Sequence, residues 1–77
     1  MSNAPKTYTI NAPRDLGVLA VQTAWDAIKV EGETFRYLGD SNNDPSVQSY
    51  EITSLRSSNA LEAAMNHQLN THSVVIS

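Results

Sequence analysis

Asp40, Asn42 and Asp44 alternate within Asp40-Ser41-Asn42-Asn43-Asp44-Pro45-Ser46, and Glu51 stands at the twelfth position counted from Asp40. That is the oxygen-ligand spacing of an EF-hand-type calcium loop, where several hard oxygens must converge on one ion. Val47 also holds the usual aliphatic eighth position. Two features oppose the match. Pro45 replaces the glycine that permits the sharp turn, and the flanking residues read as strands instead of helices. Asp, Asn and Ser in one run are equally the ordinary composition of a turn. The segment is therefore read as a hairpin loop, and no metal or cofactor is assigned.

His67 and His72 are five residues apart, and spacing places no third ligand beside them. Gly17, Gly32 and Gly39 are isolated, so no glycine-rich phosphate loop exists, and neither a serine elbow nor an HExxH pair occurs. No base is paired with a nucleophile and an orienting group. The chain is expected not to be an enzyme.

Tyr8 and Tyr50 raise a different chemistry, the stacking of bases on strand aromatics that RNA-recognition motifs use. Turning these rings outward would expose Ile10 and Ile52, which share their parity, and would bury Arg36 and Glu51. Charge argues the same way. Five Lys+Arg against eight Asp+Glu leave a net charge of −3 and a pI near 5.0, with no basic patch to meet a phosphate backbone. Nucleic acid is not an expected partner.

The elements that carry these residues follow from periodicity. Lys6–Ile10 alternates polar and apolar residues as a half-buried strand, ended by Asn11-Ala12-Pro13. A helix is predicted over 13–30, with Pro13 in its first turn and Gly32 beyond its end. Residues 33–39 and 47–55 read as a hairpin, in which Phe35, Tyr37, Tyr50 and Ile52 share one side. A second helix opens at Ser57-Ser58-Asn59, with Asn59 and Glu62 at capping-box spacing. Leu61, Ala64, Met65 and Leu69 make its core stripe, and Glu62, Asn66 and Asn70 its solvent side. Residues 73–77 close the chain as a short strand.

The order β-α-β-β-α-β predicts an α+β fold: a single-domain ferredoxin-like sandwich with a four-stranded antiparallel sheet and two helices on one face. Tyr8, Ile10, Phe35, Tyr37, Tyr50, Ile52, Val74 and Ile76 are expected to face the helices. Residues 1–5 read as a disordered or tag-like start, and 6–77 as the domain. At 77 residues only one small core is available, and Leu, Ile, Val and Phe supply 17 of them. The absence of cysteine removes disulfide and thiolate-zinc support and fits a cytoplasmic protein. No apolar run is long enough to span a bilayer, and no secretory signal is present, so no membrane partner is expected.

The first helix has an apolar stripe roughly twice the ordinary ~100° width. Leu19 and Val30 extend it to one rim; Val18, Val21 and Trp25 extend it to the other. One sheet face cannot cover so broad a stripe. Trp is enriched at interface hot spots, so Val18, Val21 and Trp25 are the predicted partner-binding residues, partly exposed in the monomer. The polar sheet face of Thr7, Thr9, Thr34, Arg36, Ser49, Glu51 and Thr53 is a second available surface. The functional expectation is a small protein-binding module, regulating or inhibiting a partner or associating with itself; phage and mobile-element inhibitors take such a form. The alternative is a small dimeric enzyme or ligand-binding protein with a pocket between sheet and helices.

Overall fold

A computed structural model describes residues 4–41 and 44–77. Residues 1–3 of the expected tag-like start, and Asn42 of the candidate calcium loop, lie outside them. The fold is α+β, with a four-stranded antiparallel sheet and two helices in one compact domain of 11.9 Å radius of gyration. In chain order the elements are β1 (Lys6–Pro13), a 3₁₀ turn (Arg14–Leu16), α1 (Val18–Ile28), β2 (Thr34–Asp40), β3 (Val47–Ser54), α2 (Ser58–Leu69) and β4 (Val75–Ile76). Across the sheet the strands run β2-β3-β1-β4.

β1 continues past the expected stop, because Ala12 faces the core at 1 % exposure and pairs with Gln48. Pro13, opposite Val47, is the last residue of the ladder, where a missing N–H is tolerated. α1 then starts five residues later than predicted. Gly17 sits at φ 87°, a conformation that favours glycine, and separates the 3₁₀ turn from the helix proper. α1 also ends early: Lys29 turns extended while its N–H still bonds the Trp25 carbonyl at 2.8 Å. A second glycine, Gly39 at φ 99°, accompanies a register shift in which Leu38 is the extra residue of β2.

α2 is capped by Ser57, whose hydroxyl accepts from the Ala60 N–H at 3.2 Å. The Asn59–Glu62 capping box is thereby displaced into the helix. Asn70, in the left-handed region, ends α2, and its N–H reaches the Asn66 and His67 carbonyls.

Strand parity decides the two sides of the sheet. Ile10, Ala12, Tyr50, Ile52 and Ile76 join Val21, Ala24, Trp25, Leu61, Met65 and Val74 in one buried cluster, so both helices pack on the same side. Tyr8 and Phe35 are partly buried against it. Tyr37 is not covered as expected: it pairs with Tyr50 on the inner side, but lies 43 % exposed. The outer side is polar, and its groups bond one another. Ser49 donates to Asn11 at 2.8 Å, and Arg36 meets Glu51 at 3.2 Å.

Candidate functional site

Two acidic residues of the calcium-like spacing, Asp40 and Glu51, lie on different strands, and Asp44 precedes the second of them. Asp40 closes β2 and forms an ion pair with Arg14. Asp44 accepts from the Ser46 N–H at 2.9 Å and hydroxyl at 2.6 Å, and these bonds hold its carboxyl below the ordinary range. Glu51 lies four residues into β3, about 13 Å along the strand from Val47 at ~3.3 Å per residue, and pairs with Arg36 on the outer side. Among the described residues no group of three or more His, Asp or Glu is placed to hold a metal. His67 and His72 are both exposed, around a shallow depression at the end of α2 that Asn66, Asn70 and Thr71 also line.

The two strand tyrosines face inward. Tyr8 donates its hydroxyl to the Arg56 carbonyl at 3.1 Å. Tyr50 is fully buried within a ladder of four rings: Trp25–Phe35 at 5.7 Å, Phe35–Tyr50 at 5.3 Å and Tyr50–Tyr37 at 5.3 Å. Burial, reinforced by Tyr37, pushes the Tyr50 phenol above its ordinary value.

That ladder corrects the expectation for the first helix. Trp25 is 2 % exposed and Val21 is fully buried, while Val18 packs partly buried against the same core. The physical reason is that β2 supplies Phe35 as a stacking partner, so the Trp25 rim lies against the sheet's aromatic half. The uncovered rim is the opposite one. Leu19 is 77 % exposed beside a groove between the helices lined by Leu16, Ala20, Thr23, Ala27 and Leu69. Helical spacing made both rims visible. Choosing between them required knowing that β2 turns its single Phe toward Trp25.

Two polar clusters were missed altogether. At the end of the sheet where α1 stops, Glu33 accepts from four donors. Arg56 donates Nε at 2.8 Å and Nη2 at 2.6 Å; the Ser54 hydroxyl and the Val30 N–H at 2.9 Å add to these. The Arg56 contact is also an ion pair, with the Glu33 side chain only 4 % exposed. Burial pushes the Glu33 carboxyl up, but the bonds from Arg56, Ser54 and Val30, with the Arg56 charge, outweigh it and hold the carboxyl below its usual value. Arg56 Nη2 also takes the Ile28 carbonyl at 3.1 Å, one of the carbonyls an ending helix leaves unpaired. Val30 and Leu55, 51 % and 65 % exposed, line a recess of about 230 Å³ over this cluster. The signal was the hairpin register, which opposes Thr34 to Thr53 and so brings Glu33 beside Ser54.

The second cluster pins β4. Asn66 accepts from the Val74 N–H and donates to the Val74 carbonyl, both at 3.0 Å, and Glu62 accepts from the Ile76 N–H at 2.9 Å. Both residues were assigned to the solvent side of α2. The last strand runs beside that face of α2, and its backbone groups at Val74 and Ile76 leave both residues partly buried.

No protein-family model, curated protein or solved structure matches this chain.

Proposed function

We propose that this chain is a ferredoxin-like β-α-β-β-α-β module that works by binding protein, without catalysis, as a regulator or inhibitor of its partner. The strand order β2-β3-β1-β4, with β1 and β3 central, supports the topological part of the reading. The observation that carries the functional part is Leu19, projecting at 77 % exposure beside the apolar groove of α1 and α2. A large aliphatic side chain beside a recess lined by Ala20, Thr23, Ala27 and Leu69 is a surface that gains by being covered.

Filling of the interior supports a binding role over an enclosed small-molecule site. Ile10, Val21, Trp25, Tyr50, Leu61 and Met65 occupy the space between sheet and helices. The polar outer face offers less to a partner, because Arg36, Glu51, Asn11 and Ser49 already satisfy each other.

The test compares wild-type chain and Leu19→Asp as immobilised baits, with circular dichroism verifying that both fold. A protein retained by the wild type and released by the variant, and whose activity the free chain alters, is the expected result. Equal retention by both baits would remove the groove from the reading.

A further inference from the structure

We infer that the chain holds a slot for one extended segment of a partner protein, in line with β4 and between β1 and the start of α2. The Leu19 groove takes no part in it. β1 runs from Lys6 to Pro13, whereas β4 covers it only at Ile10 and Asn11, with Thr9 and Ser77 exchanging backbone bonds at 2.9 and 3.0 Å. A residue that exchanges both bonds turns its N–H and C=O to that edge, and the next to do so along an antiparallel strand is two positions away. Thr7 therefore presents its N–H and C=O to the same edge, where no described strand meets it.

The opposite wall is α2, whose side chains hold the outward edge of β4 in steps. Asn66 binds the Val74 backbone at 3.0 Å, and Glu62 takes the Ile76 N–H at 2.9 Å. Four helical residues advance ~6 Å, and two strand residues ~6.6–6.8 Å. The match carries the pattern one step further, to Ser58. Its hydroxyl has no hydrogen-bond partner among the described residues. Between the walls lies a depression of about 680 Å³, which Lys6, Tyr8, Leu55, Ser57 and Ser58 line.

Open backbone groups on one wall and a hydroxyl at strand spacing on the other specify an extended backbone, as in strand addition to a sheet edge. Continuing the β1–β4 register fixes three positions of that segment. The first lies opposite Tyr8, gives its N–H to Ser58, and is apolar, because its side chain turns inward against Tyr8 and the 65 % exposed Leu55. The second exchanges both backbone bonds with Thr7. The third stands opposite Lys6, which is exposed and has no ion pair among the described residues, and is acidic. The partner thus carries an apolar-x-acidic run in extended form.

Titration with the peptide acetyl-Thr-Leu-Thr-Asp-Thr-amide, followed by NMR, tests this. The Thr7 and Tyr8 amide signals should shift, and the Thr7 N–H should gain protection from exchange. Replacing the peptide's Asp by Lys, or its central Thr by Pro, should abolish the shifts. Lys6→Glu should reverse the preference toward the Lys peptide. Ser58→Ala should weaken binding about two- to tenfold, the worth of one hydrogen bond. Thr7→Pro removes the outward donor, a change that an open edge tolerates, and should abolish binding with the melting temperature little altered. Leu19→Asp should leave the titration unchanged, so the slot and the Leu19 surface stand or fall separately. No shift at Thr7 with millimolar peptide overturns the inference, as does equal binding of the Pro peptide. Protection of Thr7 that grows with chain concentration in the absence of peptide would give the slot to a second copy and overturn the partner assignment.

Discussion

β2 and β4 lie at opposite edges of the sheet, and different contacts fix each of them. β2 turns Phe35 between Trp25 of α1 and Tyr50 of β3, and its start is tied down where Glu33 meets Arg56. β4 pairs with β1 over only Val75 and Ile76, extended by the two backbone bonds between Thr9 and Ser77. It depends on Asn66 and Glu62 of α2 to hold its backbone. The larger contact area sits on the β2 side, so the two edges should differ in how they fail. Losing a ring should unfold the domain; losing a polar pin should free one strand.

Trp25→Ala is the strongest test of that difference. Truncating a buried Trp costs ~3–5 kcal/mol, against a total stability of about 5 kcal/mol for a domain this small. Thermal melting should show the fold largely lost, with Trp25→Phe much milder. The single Trp also gives a direct optical check: its emission should be blue-shifted and protected from quenchers even at low concentration. A cost below 1 kcal/mol would show that stacking does not secure β2.

Arg56→Ala comes next. It leaves the Glu33 carboxylate buried beside Ser54 and Val30 without its counter-charge. One-sided removal from a fully buried pair costs ~3–5 kcal/mol. With the Arg56 side chain 31 % exposed, about 2 kcal/mol is expected. Because the folded carboxyl sits below its ordinary value, Glu33 stabilises the fold above the usual glutamate range, about pH 4.3, and that contribution disappears as pH falls through the folded value. Wild-type stability should therefore decline on acidification below that range, and Glu33→Gln should flatten the decline. An unchanged acid profile in Glu33→Gln would mean the carboxylate is not what holds this corner.

Asn66→Ala should act locally. It removes both bonds to Val74 and costs about 1–2 kcal/mol, the usual range for groups left unpaired in a partly buried site. Amide exchange should accelerate at Val74 and Ile76 while Tyr50 and Ile52 stay protected. Acceleration throughout the sheet would make β4 part of the cooperative core and erase the contrast between the edges.

The same contrast explains what the sequence discloses. Alternation at Ile10, Tyr50 and Ile52 marks the buried face because burial of a large apolar side chain dominates strand register. The stripe on α1 was equally plain, yet its width could not say which rim the sheet covers. That depended on Phe35, an inter-element contact. The polar pins were invisible for a related reason. Glu62 and Asn66 read as solvent-facing by helical position, and only the approach of β4 gives them partners. Glu33 and Arg56 are 23 positions apart, and nothing local links them until the hairpin register does.

The smallest expected effect has the most informative sign. Tyr50 is fully buried, and among the described residues its hydroxyl has no hydrogen-bond partner. The ring contributes by stacking on Phe35 and by a tilted contact with Tyr37, whereas the hydroxyl is desolvated without compensation. Removing an unpaired buried hydroxyl returns part of a penalty of about 1–3 kcal/mol, offset by the small void left behind. Tyr50→Phe should thus leave stability unchanged or raise it by up to about 1 kcal/mol, a melting shift of a few degrees at most. Tyr50→Leu, which removes the ring as well, should destabilise through lost stacking and volume. The pair of variants separates the two roles of one residue. If Tyr50→Phe instead destabilises by 1 kcal/mol or more, the hydroxyl has a partner in solution, and the β2 side is held by polar contacts at its centre as β4 is at its edge.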